Sequence, residues 1–301
     1  MAVVSARDAW AVGNVNIGGG TLIEHWDGTG WTIAPSPLVS GSINSTDLGD
    51  VAAVSGDDVW AVGSNHGGQG TLVEHWNGSS WSLVAAPDPT QIQPSLAAVA
   101  AVGRNDVWAV GSFGNPGGII PYSTLAEHWD GQRWKVVSSP NQNFSSLLTG
   151  VAAVSANDVW AVGFTQNIDT IVVGILIEHW DGAHCTVVPG PSPRIQPTLE
   201  AVSAIATDDV WAVGGRSDDS GACVPLIEHW NGSRWSQIPA PDGVGCLSDV
   251  HAVSSQDVWA VGSGPLGFQG GTILHCDGSS WSVAPDPSVG SLAGVGAVPA
   301  H

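Results

Sequence analysis

The chain has 301 residues, 43% of them hydrophobic, with 40 Gly and 19 Pro, which is enough apolar material for a sizeable core and too much for disorder. Asp and Glu outnumber Lys and Arg 27 to 7, a formal charge of −20 at pH 7. Nothing therefore supplies the cations that nucleic acid or an anionic membrane surface would demand, and no apolar run reaches the roughly 18 residues of a membrane span.

The N-terminal stretch "MAVVSARDAW" lacks the basic region and long apolar run of a signal peptide. It begins in mid-pattern, so an excised or mature segment is as consistent with it as a natural start. The pattern is "DAWAVG", Asp8 to Gly13, which returns as "DVWAVG", with tryptophans at Trp10, Trp60, Trp108, Trp160, Trp211 and Trp259. Each copy leads through a loop to a version of "LIEHWDG" and then to a Trp-led run such as "WTIAPSP". Before the copies stands L-x-x-V-x-A-V, as in "LGDVAAV" from Leu48 to Val54. The "VAAV" and "VWAV" runs are short, apolar and bounded by Gly, Ser and Asp, which predicts buried strands. "EHWDGTGW" predicts a hairpin whose Asp-Gly or Asn-Gly supplies the positive-φ turn. No helical period occurs.

Four strands per unit of about 50 residues is the pattern of a propeller blade. The units run approximately 1–50, 51–98, 99–150, 151–201, 202–249 and 250–294. The expected fold is all-β, a single six-bladed β-propeller domain of four-stranded antiparallel blades covering 1–301. The first unit lacks its leading Leu and the chain ends with an orphan one, Leu292. Residues 292–299 are thus expected to close the ring by completing the first blade, although 1–7 and 295–301 compete for one place. A truncated seven- or eight-blade array is the competing account.

The hairpin "EHWDGTGWTIAPSP" resembles the second half of a kelch repeat. The last unit, "VWAVGSGPLGFQGGTILHCDGSSWSVAP", resembles the Asp-box (sialidase-type) and photosystem-assembly-factor propeller repeats. Kelch glycine pairs are patchy, however, and the strict S-x-D-x-G-x-x-W spacing is not kept. The resemblance covers nearly the whole chain and implies the propeller fold. Those families hold lectins, glycosidases, lyases, oxidases and assembly factors, so fold alone assigns no activity.

Glu24–His25 recurs as Glu74–His75, Glu127–His128, Glu178–His179 and Glu228–His229, and decays to Leu274–His275. A residue placed once per blade serves the blade, so these pairs are expected to satisfy backbone or indole donors between blades. Several equivalent ligand pockets, each with a Trp platform, are the alternative. The repeated Asp8, Asp58, Asp106, Asp158, Asp209 and Asp257 are expected to fold back onto turn amides, without a metal. "GSGPLG", Gly262 to Gly267, fits a dinucleotide fingerprint by accident, since it precedes a strand and contains Pro265. No cofactor and no metal site is expected.

Departures from the repeat are more informative. Up-down strand order puts the loops after the second and fourth strands on one face, and these loops vary in length and content. That face is the expected ligand-binding surface, with Asp50, Tyr122, Phe144, Asp169, Arg194, Arg216, Asp218 and Asp219 as its unpatterned members. The inner strands carry Asp50, Glu200, Asp249 and His251 where sister units have Ala or Gly. Asp249, His251 and Glu200 could serve general acid–base work at a channel mouth, or simply form a solvated polar rim. Cys223 and Cys246 fall in the two variable loops of the fifth unit. They can pair as a disulfide, which would imply an oxidising compartment, or stand as two buried thiols. Cys185 and Cys276 take positions held by Trp in sister units and read as core substitutions.

The expected function is a non-enzymatic binding module recognising a glycan or protein ligand through the loop face, extracellular or at a cell surface, with no nucleic-acid partner and no membrane insertion. The alternatives are a polysaccharide lyase or glycosidase acting at the channel mouth, and a purely structural propeller from a larger surface protein.

Overall fold

A computed structural model describes residues 1–15, 20–37, 46–65, 70–87, 93–114, 122–142, 145–167, 172–191, 196–264, 270–285 and 290–297. The chain divides into two compact units, Met1–Asn143 and Phe144–His301. Each unit holds three four-stranded antiparallel sheets whose strands follow chain order, first to fourth. In the second sheet these strands are Thr46–Ser55, Asp58–Asn65, Gly70–Trp76 and Trp81–Leu83. The pattern of four short strands per repeat is therefore what the chain adopts.

The core lies between consecutive sheets of a unit. Side chains alternate across a strand, so Val59 and Ala61 face the first sheet while Trp60 and Val62 face the third. The same division places Trp160 and Val162 against the fifth sheet, and Trp211 and Val213 against the sixth. Leu48 and Val51 share one core cluster although three residues apart. Strict alternation would send them to opposite faces. A bulge between Leu48 and Asp50 absorbs one residue, Gly49, and restores the common face. The sheets led by Ser145, Thr198 and Leu247 shift register at the matching place. Opposite the bulge, Gly63 has no room for a side chain, because a Cβ would collide with the carbonyl oxygen of Asp47.

The first strand of the first sheet is Ala2–Ser5, paired with Asp8–Asn14. This corrects the expectation that residues 292–299 complete that sheet. Ala2 lies opposite Trp10 as Ala52 lies opposite Trp60, so the N-terminal residues already fill the register. Residues 291–297 form no strand. They pack against the sixth sheet, with Leu292 N donating to the Gly262 carbonyl at 3.1 Å and Val295 N to Asp249 Oδ2 at 2.8 Å.

Candidate functional site

Every sheet has two unlike ends. At one end, strands one and two, and strands three and four, are joined by short turns of uniform design. In the hairpin, Asp27 Oδ1 accepts the amides of Thr29 and Gly30 at 2.8 and 3.1 Å. Asn77 Oδ1 does the same for Ser79 and Ser80 at 3.0 and 3.1 Å. Gly28 and Gly78 take φ of +92° and +88°, where a Cβ would be strained and would also strike Arg7 or Asp57.

The repeated Asp of the second strand is not on those amides, contrary to expectation. Asp58 Oδ1 accepts the Nε2–H of His75 at 2.8 Å and the indole N–H of Trp60 at 3.1 Å. His75 in turn stacks on Trp60 with ring centroids 4.2 Å apart. The same Asp–His bond, at 2.8 to 2.9 Å, recurs in all six sheets. The histidine is thus spent inside its own sheet, orienting the core indole rather than bridging to a neighbour. The preceding glutamate points into the gap between sheets. Ser36 Oγ, from the first sheet, donates to both carboxylate oxygens of buried Glu74 at 3.1 Å. Burial pushes the Glu74 carboxyl up to about 7, the hydrogen bonds of Ser36 and Thr21 opposing it. Glu228 is fully buried and rises to about 8, driven by burial alone. The place of Ser36 is held there by Gly190, so no hydroxyl reaches it. In the sixth sheet Leu274 replaces the glutamate and joins the apolar core.

The other end of each sheet carries the long connections. Phe144, Asp169 and Arg194 lie outside the described residues. Tyr122 is 39% exposed at the start of the third strand of its sheet. In the fifth sheet both connections are described. Cys223 and Cys246 form a disulfide with Cα atoms 5.5 Å apart, tying the loop after the second strand to the segment leading into the sixth sheet. Gly215 makes space for this bond, since a Cβ there would collide with Cys246 Sγ. Asp218 closes a tight turn, accepting the Ser220 hydroxyl at 2.7 Å, Ser220 N at 2.8 Å and Ala222 N at 3.0 Å, and these bonds, the hydroxyl's foremost, hold its carboxyl below the usual range. It therefore shapes the loop, while Asp219 beside it is exposed.

Below this turn lies a cleft of about 300 Å³ lined by Arg216, Gln237, Asp242 and the rings of Pro225, Pro239 and Pro241. Arg216 makes no ion pair among the described residues, so its guanidinium donors are available to a ligand. Of the residues singled out in the sequence, Arg216 alone lines this cleft; Gln237, Asp242, Pro225 and the Pro239 and Pro241 of the recurring "APSP"-like run carried no signal of their own.

Two of the inner-strand carboxylates, Asp249 and Asp50, are engaged by backbone amides. Asp249 Oδ1 accepts Val250 N and its Oδ2 accepts Val295 N, both at 2.8 Å. Asp50 is used in the same way by Val51 N at 2.8 Å and Val99 N at 3.0 Å, with the N-terminal ammonium 3.9 Å away. These carboxylates bond one first strand to the segment beside it rather than forming a free solvated rim. Burial raises the carboxyls of Asp50 and Glu200. It lowers the His251 imidazole, against a hydrogen bond with the Ala297 backbone. Among the described residues no three His, Cys, Asp or Glu side chains gather as a metal site would require.

No protein-family model matches the chain, and no curated protein matches it by sequence. Solved structures do match. A fungal lectin of Aleuria aurantia, described as a six-bladed β-propeller with a novel fucose recognition mode, aligns over 98% of both chains with a TM-score of 0.56 and 14% identity. The fold is the six-bladed β-propeller. A mutant of the same lectin with Fucα1-6GlcNAc aligns equally well, over 98% of both chains at 14% identity with a TM-score of 0.56. SapL1 lectin with α-methyl fucoside covers 94% of this chain and 97% of its own, with a TM-score of 0.53 and 13% identity. The four-stranded sheets are accordingly blades, and the kelch or Asp-box character of the repeat finds no match among these lectins.

Proposed function

We propose that the chain is a non-enzymatic glycan-binding module that takes its ligand on the loop face. The observation that carries this reading is the fifth-blade cleft, an unpaired guanidinium beside an amide and a carboxylate, set among proline rings. Sugar hydroxyls need both donors and acceptors, and the ring's C–H face needs an apolar wall; the cleft offers all three. Its volume of about 300 Å³ suits one or two sugar residues. The lectins that share the propeller fold bind fucose-containing ligands, which makes fucosylated glycans the first to test. Asp219, Tyr122, Phe144, Asp169 and Arg194 belong to the same proposed face. An enzymatic reading has less support, because Asp249 is engaged by two backbone amides.

The test is a glycan array followed by titration of the best ligand. Binding that falls at least tenfold on Arg216→Ala, at unchanged Tm, supports the cleft. Failure of the intact chain to retain any glycan would sink the reading.

A further inference from the structure

In three of the four gaps between adjacent blades of a unit, the turn ends are joined by a stack of three indoles. Trp10 meets Trp76 and Trp81 at centroid distances of 5.1 and 5.4 Å. Trp60 meets Trp129 and Trp134 at 5.0 and 5.6 Å, and Trp160 meets Trp230 and Trp235 at 5.0 and 5.4 Å. The third-strand indole is pinned at its nitrogen as well. Trp76, Trp129 and Trp230 donate to the carbonyls of Gly56, Arg104 and Thr207, each at 3.1 Å. Each of these carbonyls lies four residues before the second-strand Trp of the same blade.

The gap between the fifth and sixth blades keeps the second- and fourth-strand members. Trp211 and Trp281 stand 5.5 Å apart at the same angle as their counterparts. In place of the third-strand indole stands Cys276. Where the indole is missing there is an open cavity of about 310 Å³, lined by Trp211, Trp281, His229, Cys276, Ser255 and Ser279 among others. Ser255 stands four residues before Trp259, where Gly56 stands before Trp60. Among the described residues no side chain donates to its carbonyl. Trp211 is 7% exposed where Trp10, Trp60 and Trp160 are 1 to 2% exposed, as expected of a ring that has lost its cover.

We propose that this cavity is a binding site for a planar heteroaromatic ring bearing an N–H donor, of the indole class. The ring takes the vacant place in the stack against Trp211, and its N–H bonds to the Ser255 carbonyl. Cavities left by a truncated large side chain and lined by apolar groups accept rings of matching size. Here the three sister gaps define both the shape and the one polar contact. The site lies toward the turn end of the blade and the glycan cleft toward the loop end, with Ile238 lining both; none of the groups proposed to contact the indole ring lines the glycan cleft.

Indole itself is the probe, titrated calorimetrically into the intact chain. Saturable binding at one site per chain is expected. N-methylindole, which has no N–H, should bind about 2- to 10-fold more weakly, the value of one net hydrogen bond. Cys276→Trp restores the sister residue and should abolish binding while raising Tm. Cys276→Ala keeps the cavity and should bind indole within about threefold of the parent, which preserves the test should the Trp variant misfold. N-acetyltryptophanamide distinguishes the source. If it binds as well as indole, a tryptophan of a partner chain is the occupant; if indole alone binds, the occupant is a free small molecule. Absence of saturable indole binding, or binding unchanged in folded Cys276→Trp, would overturn the proposal.

Discussion

The two ends of each blade are built from the same strands and yet obey different rules. At the turn end, Asp, His and Trp recur in all six blades, their polar atoms largely consumed by one another. At the loop end, composition changes from blade to blade, and in the fifth blade the Arg216 guanidinium makes no ion pair among the described residues. The contrast separates two reasons for a polar side chain in an apolar neighbourhood. A residue whose partner is copied along with it belongs to the scaffold, whereas one with no copied partner is open to a ligand.

Perturbing the two ends should have opposite consequences. The largest effect is expected for Trp60→Ala, which removes the centre of an indole stack and should cost about 3–5 kcal/mol in chemical denaturation. Next comes Glu228→Leu, which copies Leu274. The folded carboxyl, at about 8, holds its proton while the unfolded one, near its usual 4.5, has released it. The native state therefore binds more protons across that interval, and stability falls as pH rises through it. The parent should lose Tm between pH 5 and 8.5, Glu74 contributing up to about 7. His251 acts in the opposite sense, losing stability as pH falls below its ordinary value of 6.5 because burial keeps it neutral. Glu228→Leu should flatten the alkaline decline and gain roughly 2–4 kcal/mol at pH 8.5. A smaller loss, about 1–3 kcal/mol, is expected for His75→Ala, which strips a donor from Asp58, whose side chain is only 3% exposed. The smallest is Arg216→Ala, with stability within about 0.5 kcal/mol of the parent and glycan binding lost. If His75→Ala abolished glycan binding at unchanged Tm, the division between the two ends would be wrong.

Much of this was legible in the sequence because repetition aligns it with itself. The strands, the Asx-Gly hairpins and the loop face all follow from period and turn chemistry. The bulge at Gly49 was not, since its only trace is the odd spacing of Leu48 and Val51, and that spacing has meaning only once both are known to face one core. For the same reason the backbone bonds of Asp50 and Asp249 could not be read from the sequence. Their partners are main-chain amides of another segment, and a backbone N–H leaves no mark on residue identity. Cys276 was visible as a substituted tryptophan, but the space it opens depends on Trp211 and Trp281 holding their positions. The closing strand was misassigned because Leu292 and Ala2 offer overlapping registers, and side-chain spacing alone does not rank them.

The grip of Asp249 on Val295 repeats that of Asp50 on Val99, down to the Leu three residues before each valine. Ala98, Gly150 and Ala201 stand at the matching place in the third, fourth and fifth blades, so this carboxylate joint is confined to two seams. At those two seams a single side chain sets the height at which the following segment docks, one amide to one acid.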